Sequence, residues 1–353
     1  MTPISHSKPW ITDADKQAVD VVLVSNMLAQ GELTGKLEQQ LSHWIHALDG
    51  VAAGSGAAAL VLALHGVGVR RGDEVILPTY VCRSVFEAVL TAGGVPVLCD
   101  VGEDWVVTAT CVAQRISRQT KAIIVPHMYG VFADVESFRQ FGVPVIEDCA
   151  QAVDSNGHRF ISADVAVFSL HPTKCLTAGE GGMAVSSDPQ IVAKMRALRD
   201  GSDALEGWRL FSPLSDIAAA LALSQLRRYS EALARRAEIA DRYTRMLENV
   251  KPDCLNRRAL ERSMFFRFPI RIEGGLEACQ GTFMDHGIHV RRGVDALLHR
   301  LIGGDDRDFT TSVKLYEATV SLPIFPALMP EEESRCIDCA EKVLLGLTAL
   351  HDQ

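Results

Sequence analysis

Lys174 lies in the run Phe168-Ser169-Leu170-His171-Pro172-Thr173-Lys174, downstream of an acidic pair that closes an apolar stretch, Val145-Ile146-Glu147-Asp148. A primary amine following one strand and a carboxylate ending another are the two groups needed to hold pyridoxal phosphate (PLP). The amine binds the cofactor aldehyde covalently, and the carboxylate keeps the ring nitrogen protonated so that the ring accepts a carbanion's electrons. The chemistry this pair points to is movement of an amino group. An aspartate after a strand also serves as a helix N-cap, and both roles can hold at once.

A phosphate needs donors, and Ala52-Ala53-Gly54-Ser55-Gly56-Ala57-Ala58-Ala59-Leu60 supplies a Gly-containing turn running into an Ala-rich helix. Free backbone N–H groups and the helix dipole at such an N-terminus attract an anion, with Gly56 and Ala57 as the contacts and the Ser169 hydroxyl as a further donor. The turn alone is a weak signal; it gains weight from its order before Asp148 and Lys174. Gly66-Val67-Gly68-Val69-Arg70-Arg71-Gly72 lacks the GxGxxG spacing and follows a helix, so it reads as a loop.

The elements that must position these groups are short apolar runs alternating with helix-length segments. They are Asp73–Pro78, Val95–Asp100, Ala122–Pro126, Val145–Asp148 and Val165–Ser169. Continuous apolar runs of that length predict mostly parallel strands covered on both faces, hence an α/β fold with ligands beyond the carboxyl ends of the strands. From Ser215 to about Leu247 the chain is free of Gly and Pro, which predicts one long helix. After Pro252 come short strand-like pieces around Phe265–Ile270 and a closing helix from Pro330 to about Leu350. The expected division is a large cofactor-binding domain, 1–247, and a smaller C-terminal α+β domain, 248–353.

With 353 residues, 48% of them hydrophobic, the chain can bury a large core. Lys and Arg total 35 against 44 Asp and Glu, a net charge of −9 with no basic stripe, which argues against nucleic acid as a partner. No apolar run reaches the ~18 residues of a membrane span, and the first residues lack the pattern of an export signal, so a cytoplasmic location is expected. The nine cysteines suit reduced thiols. Cys336 and Cys339 form a CxxC pair, but a zinc site needs a second pair or matching histidines, and no metal is assigned.

Taken in order, Gln30-Gly31, Ser55–Leu60, Gly72–Pro78, Val125-Pro126-His127-Met128-Tyr129-Gly130, Glu147-Asp148-Cys149-Ala150-Gln151-Ala152, Phe168-Ser169 with Lys174, and Gly179-Glu180-Gly181-Gly182 resemble the DegT-type (DegT/StrS) sugar aminotransferases. The resemblance covers most of the first 230 residues; beyond them only Val320–Pro326 matches clearly. It implies a fold-type I PLP enzyme, a homodimer, and transfer of an amino group from glutamate to a nucleotide-linked keto sugar through the pyridoxamine phosphate form. It also implies that Lys174 is the Schiff-base lysine, that Asp148 partners the pyridinium nitrogen, that Gln151 contacts the phenolic oxygen, and that Ser169 with Gly56-Ala57 forms the phosphate site. His127 and Tyr129 are expected to line the sugar pocket.

The chain departs from the family pattern at four places. Ala57 stands where a threonine is usual, and Cys82 stands where an aromatic ring commonly stacks on the cofactor. Phe211-Ser212-Pro213-Leu214 replaces an Asn and an Arg that reach the neighbouring subunit's site. Gly287–Gly293 places Arg291 and Arg292 where the family has His-Tyr-x-Pro-x-His, and either arginine can pair with a carboxylate or a diphosphate. His171 reads as a packing or hydrogen-bonding residue. The competing functions are other PLP chemistry on the same fold (a sugar dehydratase, against which Lys174 argues, an aldolase or an acyl transferase) and a regulatory homologue without activity.

Overall fold

In a computed structural model the protein is described over residues 2–153, 163–201 and 209–351. Seven strands form the central sheet: Asp49–Ala53 (β1), Glu74–Pro78 (β2), Val95–Cys99 (β3), Thr120–Pro126 (β4), Val145–Asp148 (β5), Val165–Ser169 (β6) and Gly182–Ser186 (β7). Their order is β1-β7-β6-β5-β4-β2-β3. The five strands legible as apolar runs, β2 to β6, pair in parallel. Helices cover both faces of the sheet, as the burial of all β5 residues and of every β4 residue except Lys121 requires.

β1 and β7 escaped the sequence reading. Asp-Gly-Val-Ala-Ala and Gly-Met-Ala-Val-Ser hold one β-branched residue each, too little for a propensity signal. β7 runs antiparallel between β1 and β6 and is wholly buried, so tertiary pairing decides its state. Its register matters for function, because Gly182 lies opposite both Ala53 and Ser169. A Cβ at Gly182 would stand 2.4 Å from the Ser55 carbonyl oxygen, so glycine alone lets the turn after β1 close down on the sheet.

The single helix expected from Ser215 to Leu247 is two, Asp216–Arg227 and Tyr229–Val250, broken at Arg228 with φ −116° and ψ 17°. No Gly or Pro causes the break. Arg228 is drawn off the helical path because its guanidinium donates to the Trp10 carbonyl at 2.5 Å, pairs with buried Asp15 and lies 4.4 Å from the centre of the Trp10 ring. A long-range anchor of this kind leaves no trace in local propensity.

Two further strands, Phe268–Arg271 (β8) and Thr319–Leu322 (β9), pair antiparallel in a separate sheet. The hydrophobic cluster around them gathers Phe283, Ile288 and Leu344 together with Ile4 and with Ile239, Tyr243 and Leu247 from the helix Tyr229–Val250. Cys336 and Cys339 face this cluster from the helix Pro330–His351, and burial pushes their thiols up to about 12 and about 11. Among the described residues no helix is long and apolar enough to cross a membrane.

Candidate active site

At the carboxyl ends of β5 and β6 a cavity of about 770 Å³ opens between the central sheet and the C-terminal segment. Lys174 and Asp148 both line it, as do Gly56, Ala57, Ser169 and Gln151. Asp148 ends β5, and its carboxylate accepts the Ala150 amide at 3.0 Å; among the described residues no donor reaches its second oxygen. Burial raises its pKa, opposed by the Ala150 amide, Lys174 and His127. Lys174 follows β6 in a turn closed by its own amide on the His171 carbonyl at 2.9 Å. Burial lowers the Lys174 pKa against the pull of Asp148, and Arg267 lowers it further. A lysine in that state carries more free amine near neutrality than a solvated one does.

The helix Gly56–Gly66 begins at the same cavity. Ser55 caps it by accepting the Ala58 amide at 3.1 Å, so the earlier amides of Gly56 and Ala57 have no intrahelical partner. The helix start is pressed against the end of β6: a Cβ on Gly56 would stand 2.8 Å from the Ser169 Cβ. Two open amides and a serine hydroxyl thus converge at the positive end of a helix dipole. Gln151 is oriented as well, since its Oε1 accepts the Tyr129 amide at 2.8 Å. That leaves the amide nitrogen, 3.6 Å from the Met128 sulfur, as a donor suited to a phenolate oxygen. The donor set fits PLP: an amine for its aldehyde, a carboxylate for its ring nitrogen and free amides for its phosphate.

Several sequence expectations change here. His127 and Tyr129 are not on the cavity; they are 2% and 0% exposed. Tyr129 sits at φ 60° before Gly130, which turns its ring inward to the Tyr80 hydroxyl at 2.9 Å and against Trp105. Its contribution is indirect, through the amide that orients Gln151. His127 accepts the Ala133 amide on Nδ1 at 3.1 Å, and its Nε2 lies 3.5 Å from buried Glu147. Cys149 closes this buried group, its sulfur 3.8 Å from Glu147.

Cys82 does line the cavity, as an exposed thiol that accepts the Ser84 hydroxyl, and buried Tyr80 does not replace the missing aromatic face. Phe211 is 73% exposed, while the Ser212 carbonyl next to it accepts the Gly54 amide at 2.9 Å and ties this segment to the end of β1. His171 braces its own turn through Thr173, with Nδ1 to Oγ1 at 2.9 Å. Arg291 and Arg292 both reach the cavity, but Arg292 is committed to Glu277 and lies over the Tyr316 ring.

The lining residues that were missed include Arg267 and His6. Arg267 is a lone charge between Phe266 and Phe268 at the start of a strand, and that interruption of an apolar run was a usable signal. His6 had none, because contacts made in the fold, the bridge between Ile4 and Ile288 and the bond of His6 to Ser321, carry the N-terminal segment to the site.

The sequence model of the DegT/DnrJ/EryC1/StrS aminotransferase family matches residues 9–341. Among solved structures, the aminotransferase TlmJ from Streptoalloteichus hindustanus superposes with a TM-score of 0.88 at 28% identity over 97% of this chain and 99% of its own. Spr1654 from Streptococcus pneumoniae, assigned as a sugar aminotransferase and solved in its PLP form, gives 0.88 at 25% identity over 98% of this chain and 99% of its own. DesV from S. venezuelae, solved with a ketimine intermediate, gives 0.84 at 26% identity over 93% of each chain.

Proposed function

The chain belongs to the DegT/DnrJ/EryC1/StrS aminotransferase family, and on that premise we propose that it is a PLP-dependent sugar aminotransferase that moves an amino group from glutamate to a keto sugar carried on a nucleoside diphosphate. The observation that carries this reading is the meeting of Lys174, Asp148 and the open helix start at Gly56-Ala57 on one cavity. When bound, PLP supplies the conjugated ring that takes up negative charge from the substrate carbon next to nitrogen. Lys174 would hold the cofactor aldehyde through its Nζ, and the same nitrogen, when free, would accept and return the proton at the reacting substrate carbon. Asp148 keeps the proton on the ring nitrogen; its burial, which makes its charge costly alone, strengthens that pairing. Gln151 donates to the phenolic oxygen, while Gly56, Ala57 and Ser169 hold the phosphate.

Cys82 offers no aromatic surface on which a cofactor ring would stack, so the carboxylate and the lysine would bear more of its positioning. A homodimer belongs to the same reading, with exposed Phe211 and the exposed apolar residues Val21, Val24 and Met27 meeting a second copy; sedimentation that gives an active monomer would refute it. The function is tested in two half-reactions. Glutamate added to the PLP-loaded enzyme is expected to bleach the visible band of the lysine-bound cofactor. Nucleotide-linked keto sugars added next are expected to restore it. A band that glutamate leaves unchanged overturns the choice of donor, and one that no keto sugar restores overturns the choice of acceptor.

A further inference from the structure

Arg267, His6 and Arg291 meet on the cavity wall contributed by the C-terminal and N-terminal segments. The Nη1 of Arg267 is buried without a hydrogen-bond partner, and among the described residues no carboxylate pairs with it. Its charged neighbours include Arg236 and Arg291, and it is pulled down, to about 9, by burial first and by Arg236 second, so it remains a cation at neutral pH. His6 shares its Nε2 with the Ser321 hydroxyl at 3.0 Å, while its Nδ1 is buried and unpartnered. Burial, Arg267 and Arg291 lower the pKa of that ring against an opposing hydrogen bond to Ser321; in the tautomer protonated on Nδ1, that nitrogen offers a donor. Arg291 is exposed at the mouth, its backbone bridged to Ser321, with no carboxylate paired to it among the described residues. Unpaired positive charge with buried, unsatisfied donors lacks an oxyanion.

Arg267 and Lys174 share the cavity and both reach the Phe266 ring, and the Arg267 charge acts directly on Lys174, lowering its pKa. An anion on Arg267 therefore sits within the electrostatic reach of the reacting amine. An amino acid's α-carboxylate is one bond from its reacting carbon, whereas a sugar ring separates a nucleotide's diphosphate from the keto carbon. We propose that Arg267, with His6 and Arg291, is the subsite that binds the α-carboxylate of the amino donor. This assignment rests on the aminotransferase reading above. It also divides the two arginines that the sequence left equivalent, because Arg292 is already neutralised by Glu277.

The test compares PLP-loaded wild type with Arg267→Met. Glutarate, which carries carboxylates but no amine, is titrated against the visible band and the intrinsic fluorescence. Rates of the first half-reaction are measured with glutamate and with n-propylamine, and the pyridoxamine-loaded enzyme is mixed with nucleotide-linked keto sugars. Arg267→Met is expected to weaken glutarate roughly 100-fold and to cut the preference for glutamate over n-propylamine by a similar factor, as loss of a buried charge-paired partner does. Should that variant fail to fold, Arg267→Lys, which keeps the cation without the planar fork, is expected to show a smaller loss in the same direction. Unchanged glutarate binding and unchanged donor preference overturn the proposal. So does a loss confined to the keto-sugar half-reaction, which assigns the anion to the diphosphate. A wild type that never forms the visible band refutes the aminotransferase reading instead.

Discussion

Gly56→Ala tests the phosphate cradle with little change of chemistry. The added Cβ would stand 2.8 Å from the Ser169 Cβ, 3.1 Å from its Oγ and 3.2 Å from its Cα. Ordinary carbon contact is ~3.5–4.0 Å, so the helix start must retreat from β6 by roughly an ångström. Ser169 cannot yield instead, because it is paired in register with Gly182, which is itself packed under Ser55 and Gly56. Overpacking of this size costs about 1–3 kcal/mol in the apoprotein. The same retreat separates the Gly56 and Ala57 amides from the Ser169 hydroxyl, and loss of one hydrogen bond to a charged group is worth about 1.5–3 kcal/mol. With a tenfold change for every ~1.4 kcal/mol, PLP should bind roughly 10- to 150-fold more weakly. The assay is titration of apoenzyme with PLP followed by the visible band, beside a thermal melt without cofactor. Ser169→Gly in the same background should recover part of the melting temperature but less of the affinity, since it restores space and removes a donor. A variant whose melt shifts while PLP affinity stays at the parent value would show that the phosphate binds elsewhere.

Lys174→Ala is expected to abolish the visible band and to lower turnover by at least ~10²–10⁴-fold with the circular dichroism spectrum intact; parental turnover would remove Lys174 from its role. Asp148→Asn should retain PLP in part and lose most of the activity, because a neutral amide does not hold the ring proton, and near-normal turnover contradicts that. Burial lowers the Lys174 pKa below its ordinary value of 10.5, so the unfolded apoprotein binds more protons there than the folded one and the apo stability contributed by this group rises with pH between the folded value and 10.5. For Asp148 the folded pKa lies above 3.8, and the sign reverses: its contribution is largest below 3.8 and is lost as pH rises through the folded value. Urea titrations of wild type and of each variant across pH measure both slopes, and parallel curves would refute the burial argument. His127→Leu removes the imidazole that lies 3.5 Å from the Glu147 carboxyl, 0% exposed, and should cost about 1–3 kcal/mol, with much of it returned by Glu147→Leu in the same chain; a single variant as stable as the parent would show that the pair is not coupled.

The local sequence picked out the proposed reacting groups and the five parallel strands of the sheet. Lys174, Asp148 and the Gly56-Ala57 turn are legible because their chemistry resides in residue type and in position at an element's end, and β2 to β6 because an apolar run of strand length has few alternatives. What only the tertiary structure decided depends on partners far along the chain. β7 is a strand because β1 and β6 flank it; the helix breaks at Arg228 because Trp10 and Asp15 hold its side chain; Tyr129 turns away from the cavity because Tyr80 and Trp105 receive it. His6 and Arg267 stand more than 250 positions apart, and no spacing rule joins them; they share a wall because the bridge from Ile4 to Ile288 lays the N-terminal segment beside the second sheet. Burial, and with it the shifted protonation of Lys174 and Asp148, is a property of the closed fold, since the cost of a charge depends on the water that folding removes.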